Sequence, residues 1–139
     1  MANTPLPAYV QTQKTGSAVV TAAVGDIGTN SPTNLVPLGE AAGVNGALVT
    51  KITAMPRATV TASSLLLYTS KDRGATYALA DSELMAPYTL AVTTAIPETT
   101  FGNISPSTPL RLEAGERLYV GSQVLLAAGI VFRSEGANF

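Results

Sequence analysis

The chain of 139 residues contains no cysteine and no histidine. Their absence removes disulfides, thiolate nucleophiles, Cys/His zinc sites and imidazole acid–base catalysis together. Tryptophan is missing too, and five Tyr and three Phe are the only aromatics. Charge is scarce: eight Lys plus Arg and nine Asp plus Glu make 12% of the chain, about half the ~25% of an ordinary soluble domain. With a net charge of −1, nothing draws in nucleic acid or an anionic membrane surface. The longest unbroken apolar stretch, Val124 to Phe132, is nine residues, far short of the ~20 that span a bilayer as a helix. The start, Met1-Ala-Asn-Thr-Pro-Leu-Pro, lacks the basic and apolar regions of a secretory signal, so synthesis in the cytoplasm is expected.

What remains is Thr, Ala and small polar residues. Apolar residues make up 46%, and the chain holds 18 Thr and 21 Ala. The length is that of one domain, which buries roughly two-thirds of its unfolded surface without a staple. A free monomer's surface usually carries about 25–35% charged residues. A domain this poor in charge is expected to have much of its exterior covered by neighbours.

Along the chain the period is two. Residues 1–8, with Pro5 and Pro7, read as an extended arm, and 9–139 as the folded domain. Tyr9–Lys14 and Ala18–Val24 read as strands joined by a hairpin at Thr15-Gly16-Ser17. Residues 25–34 are a run of turn formers, hence a loop. In Gly46–Met55, Leu48, Thr50, Ile52 and Ala54 alternate with Ala47, Val49, Lys51 and Thr53. Pro56 then requires a bend or a sheet edge before the chain resumes through Thr59–Ala62. Ser63–Ser70, with Leu65, Leu66, Leu67 and Tyr68 in succession, reads as a strand covered on both faces, the centre of the core. Ser70–Ala75 is a hairpin loop with Gly74 left-handed, and Tyr77 and Leu79 continue on the partner strand. Asp81–Met85 reads as one helical turn capped by Asp81 and stopped by Pro87. Tyr88–Thr94 alternates as a strand. Residues 95–109 form a long loop, Leu110–Leu112 and Leu118–Val120 pair across a reversal at Glu113–Glu116, and Val124–Arg133 is the last strand. The expected fold is all-β: a single antiparallel β-sandwich, jelly-roll-like or immunoglobulin-like, with an extended amino-terminal arm.

Chemistry is thin. Asp81 with Glu83 and Glu113 with Glu116 are the carboxylate pairs to test for glycoside hydrolysis or calcium, but neither lies in a ligand pattern. Ser70 and Lys71 are adjacent without a base-supporting context, no G-x-S-x-G elbow occurs, and no phosphate-cradling loop is found. No catalytic residue, metal or cofactor is expected, nor a nucleic-acid or membrane partner.

The succession Pro109-Leu-Arg-Leu-Glu-Ala-Gly-Glu-Arg-Leu-Tyr-Val-Gly121, followed by Val124-Leu-Leu-Ala-Ala-Gly-Ile-Val-Phe132 and a short polar end, resembles small β-sandwich virion proteins of tailed bacteriophages, of the head decoration or cement type. The resemblance covers about residues 46–139 and rests on strand-and-turn pattern. It implies a non-enzymatic subunit at the capsid surface of the virion. Many symmetric copies, often trimers, would bind the major capsid protein there. Pro5 and Pro7 in the arm, Tyr9 at the start of the first strand and Phe139 at the carboxyl end are the candidate interface residues. The alternative is a tail- or fibre-associated module that recognises a host-surface glycan or protein, with an exposed Tyr such as Tyr77 as its platform.

Overall fold

A computed structural model describes residues 12–139. The chain folds into nine strands with no helix among the described residues: β1 Thr12–Val20, β2 Val36–Leu38, β3 Ala47–Pro56, β4 Ser63–Ser70, β5 Ala78–Met85, β6 Thr99–Thr100, β7 Leu110–Leu112, β8 Arg117–Ser122 and β9 Ile130–Asn138. Two antiparallel sheets result. One runs β1-β9-β3 with β6 and β7 both paired to the far side of β3, and the other runs β2-β8-β4-β5.

The pairing is nested. β1 pairs β9, β2 pairs β8, β3 pairs the interrupted strand β6/β7, and β4 pairs β5. Successive pairs fall in alternate sheets, so the chain is one long antiparallel hairpin rolled up on itself. That is the order of a jelly roll, not of an immunoglobulin domain.

Between the sheets, Val20, Val49, Ile52, Ile130 and Phe132 meet Leu38, Leu65, Leu67, Met85, Leu118 and Val120 in one apolar core. Phe101 closes its side, with its ring 6.5 Å from that of Phe132. β4 is covered on both faces as expected. Its Leu65 and Leu67 enter this core, while Leu66 and Tyr68 join Tyr119 and Val24 in a second cluster on the outer face, roofed by Leu35 and Tyr77. The expected loop at 25–34, closed by a bridge between Gly25 and Thr33, connects Val24 and Leu35 of that cluster. Gly121 is bare because a Cβ there would run into Val24 of the roof. The outer face of the other sheet, with Thr15, Ser17, Arg133 and Lys51, stays open.

Several expectations are corrected. No hairpin interrupts β1: Gly16 sits mid-strand opposite Ser134, and it is a glycine because a Cβ would come 2.6 Å from Gly39 Cα. β3 is an inner strand, and a bulge between Val49 and Lys51 switches its phase. The core face is therefore Ala47 and Val49, then Ile52 and Ala54. After Pro56 the chain bends and makes only an isolated bridge at Val60. Asp81–Met85 is strand, not helix, because it pairs residue by residue with β4. Tyr88–Thr94 is no strand. Tyr88 bridges Val60, and a turn closes with Thr94 N–H on Ala91 C=O, 3.2 Å. Glu113–Glu116 does turn, with Gly115 at φ +80°, but it carries the chain from β7 in one sheet to β8 in the other and makes no hairpin. The last strand starts only at Ile130, since 124–129 must cross between the sheets and turns at Gly129, φ +90°.

The roll gives the sandwich two unlike ends. At one, the apex, connections 57–62, 86–98 and 123–129 meet. Arg57 N–H donates to Gly129 C=O at 3.1 Å, Val60 and Tyr88 exchange both backbone bonds at 2.9 Å, and Leu126 N–H donates to Thr21 C=O at 3.0 Å. At the other, the base, connections 39–46, 71–77 and 113–116 meet. There Ala42 N–H donates to Glu116 C=O at 2.8 Å and Lys71 pairs with Glu113 at 2.6 Å.

Candidate functional site

Each carboxylate singled out above is occupied by its own chain. Asp81 Oδ1 accepts from Ser82 N–H at 2.8 Å and from Asn103 Nδ2 at 3.1 Å, and Glu83 Oε2 accepts from Gly102 N–H at 3.2 Å. The two clip the 101–103 turn against the edge of β5. Asp81 Oδ2 is buried without a partner, a single acceptor with no second group to form a site. Glu116 is buried and its Oε1 accepts from Glu113 N–H at 2.8 Å, locking the basal turn. Glu113 faces outward to Lys71. That ion pair and hydrogen bond hold the Lys71 ammonium above its usual range.

The Ser70–Lys71 pairing dissolves in the same way. Ser70 Oγ donates to Asp72 Oδ1 at 2.8 Å and accepts from Gly74 N–H at 2.9 Å, while Lys71 points to Glu113. Asp72 organises the hairpin: its carboxylate also accepts from Thr76 N–H at 2.9 Å and Thr76 Oγ1 at 2.6 Å. Those bonds, Thr76 first, bring its pKa down to about 2. The loop needs two left-handed residues, Arg73 at φ +61° and Gly74 at φ +89°. The aspartate makes that strained turn tolerable by bonding back to the backbone.

The tyrosines are packed. Tyr77, partly exposed, meets Tyr119 edge-on at 4.9 Å and Tyr68 at 6.3 Å. Burial raises the Tyr68 and Tyr77 phenol pKa values, Tyr77 with help from Tyr119 and Asp72. Among the described residues, no group of three or more His, Cys, Asp or Glu could hold a metal, and no helix is long and apolar enough to cross a membrane. Pro5, Pro7 and Tyr9 lie outside the described residues. Phe139 is half-buried at the base, its N–H on Gly46 C=O at 3.1 Å.

The surface feature that sequence reading missed is the apex. In its three connections only Arg57 and Glu98 carry charge. Arg57 is exposed, with its Nε donating to Ala128 C=O at 2.7 Å. Leu90 is 51% exposed, Leu125 70% and Val92 fully exposed. The base, by contrast, gathers Glu40, Lys71, Asp72, Arg73, Glu113 and Glu116. The signal in the sequence is the absence of charge from 86–97 and 123–129, which gains meaning only once the roll brings those loops together.

Fold and geometry thus define a jelly-roll sandwich with one charge-rich and one charge-poor end. Comparison of the chain with protein-family models, with curated proteins and with solved structures found no match.

Proposed function

We propose that this protein is a non-enzymatic structural component of a tailed-phage virion, decorating or cementing the capsid by binding major capsid proteins in multiple symmetric copies. The observation that carries the reading is the charge-poor, apolar apex. Fully exposed Val92 and exposed Leu90 and Leu125 are apolar side chains that gain by burial, in a molecule with few ionisable groups. Many-copy assembly supplies that burial, and repeated weak footprints hold by avidity. The resemblance of residues 46–139 to head decoration proteins gives the assembly its identity.

The test is co-sedimentation of the purified chain with expanded capsids of its phage. Saturable binding at a fixed stoichiometry, with a rise in the heat resistance of the shells, is expected. Protein that stays in the supernatant while adhering to host cells would replace this reading with the tail- or fibre-associated one.

A further inference from the structure

The outer face of the β1-β9-β3 sheet is a ladder of cross-strand rows. Val19, Val131 and Met55 form the first, nearest the apex. Ser17, Arg133 and Thr53 form the second, Thr15, Glu135 and Lys51 the third, and Gln13, Ala137 and Leu48 the fourth. The outward side chains of β1, with Lys51, Met55 and Arg133, are exposed, whereas the outer face of the other sheet has Leu35 and Tyr77 packed over it. Along β9 the rows therefore run apolar, cationic, anionic, apolar. A depression of about 450 Å³ opens at the fourth row, where Gly136 and Ala137 leave room between Gln13, Leu48 and Glu135.

We propose that two copies of this chain pack through this face, sheet on sheet, about a two-fold axis that crosses the strands between the Arg133 and Glu135 rows. Such an axis keeps each strand over its own counterpart and reverses its direction. The second row of one copy then lies over the third row of the other, and the first over the fourth. Arg133 meets Glu135 of the second copy, and Glu135 meets its Arg133, so one operation makes two ion pairs. Within one sheet Arg133 Nε stands 3.4 Å from Glu135 Oε2, a long contact that leaves both groups able to take a second partner. Val131 lies over Ala137 and Met55 over Leu48, the larger side chains entering the depression. Lys51 stands beside Glu135 in its own sheet and faces Thr53. Arg111, opposite Leu48 on β7, and Glu98, just before β6, mark the two ends of the free side of β3. The reversal brings each end against the other.

Charge rejects the alternative two-fold arrangement. With the axis along β9 each row would lie over itself, setting Arg133 on Arg133 and Glu135 on Glu135, and like charges across an interface suppress association. Packed sheets cross at about 30°, which moves the central pairs little because each lies one residue from the axis. The face is four strands wide and seven residues long, roughly 19 by 23 Å, or about 900 Å² over the two copies before side-chain relief is counted. A specific interface needs about 1,000 Å², so the pair is a modest one that associates in the micromolar range. The inference stands apart from the capsid reading: the resemblance implies trimers, whereas this face joins copies in twos.

Sedimentation velocity of the parent should show a concentration-dependent dimer. Arg133→Glu alone and Glu135→Arg alone each set like charges in both central pairs and should weaken the dimer roughly a hundredfold. An equimolar mixture of the two variants, and a chain carrying both substitutions, should each recover the parental association, because every central pair is again of opposite sign. The two side chains are 59% and 46% exposed, so the variants should keep the parent's circular dichroism spectrum, which is checked first. The absence of cysteine allows a second readout. Val131→Cys and Ala137→Cys chains should be joined by a short bis-maleimide when mixed, and neither should be joined to itself.

A parent that stays monomeric at high micromolar concentration, a dimer indifferent to both charge reversals, or a Val131→Cys chain that cross-links to itself would each overturn the inference. So would a monomeric parent whose capsid binding is lost with Arg133→Glu, which would assign the face to the capsid protein. If a charge variant fails to fold, the cysteine pair decides. A monomer that binds capsids sinks this inference alone, and a dimer that ignores capsids sinks the proposed function alone.

Discussion

Replacing Gly16 with alanine tests the rolled topology at its tightest point. In a hairpin turn this glycine would be chosen for a left-handed backbone. In the structure it is chosen because β1 passes directly over Gly39, at the end of β2. A Cβ on Gly16 would lie 2.6 Å from Gly39 Cα, 2.9 Å from Gly39 N and 3.0 Å from Ser134 Oγ. Ordinary contacts begin near 3.4 Å, and two of the three opposing atoms are backbone, so the strands must part by most of an ångström. Overpacking of this kind costs typically 1–3 kcal/mol, and the backbone obstruction puts Gly16→Ala at the upper end, about 2–3 kcal/mol. For a domain of this size that lowers the melting temperature by roughly 8–12 °C. Gly28→Ala, where a Cβ meets nothing within 4 Å, is the control and should change stability by less than about 0.5 kcal/mol. Gly39→Ala adds a second signature. Its own methyl would approach Gly16 at 3.1 Å from a backbone at φ +74°, so the costs of the two substitutions are coupled and their double mutant departs from additivity. Urea denaturation followed by circular dichroism measures all four. A Gly16→Ala protein as stable as the Gly28→Ala control, or strict additivity with Gly39→Ala, would refute the crossing of β1 over β2.

Three further outcomes follow from the same geometry. Leu66→Ala and Leu67→Ala should each cost about 2–5 kcal/mol, because neighbours cover both faces of β4 and each deletion opens a cavity; a near-neutral Leu66→Ala in chemical denaturation would mean that Val24, Leu35 and Tyr77 do not cover its outer face. Glu116→Ala should destabilise by about 1.5–3 kcal/mol by stranding Glu113 N–H, with Glu116→Gln recovering most of the loss, since a neutral oxygen still accepts that bond. Asp72, whose folded pKa is lowered to about 2, stabilises the hairpin at pH values above its unfolded range near 4; that contribution is lost as pH falls through about 2. The melting-temperature gap between the parent and Asp72→Asn should therefore be constant at neutral pH and shrink between pH 4 and 2. A gap that persists unchanged at pH 2 would show that the carboxylate's charge is not what holds the turn.

Local signals in the sequence were read well and long-range ones were not. β4 was plain from four apolar residues in a row, and the Ser70–Ala75 loop from Asp72 and Gly74. Both are set within a few residues of themselves. The Glu113–Glu116 turn was equally visible, yet the strands it joins lie in different sheets, because each takes its partner from far away in the chain. Alternation misled where no sheet was available to pair with: Leu90 and Val92 alternate perfectly and end up exposed. Glycine misled at residue 16 because a missing Cβ serves a close crossing as well as a turn. In β3 one extra residue at the bulge reversed which face is buried, a shift that composition does not record. The work the carboxylates do in the structure, clipping one loop and locking one turn, depends on partners up to 22 residues distant. The apex was illegible because it is assembled from three separated connections.

The most direct test of the account is a symmetric reconstruction of the phage particle by electron cryo-microscopy. The account predicts this jelly roll in repeated copies on the outer shell, in contact with the major capsid protein, with connections 86–98 and 123–129 of every copy buried against protein. Copies absent from the shell, or present with Val92 and Leu125 facing open solvent, would contradict it.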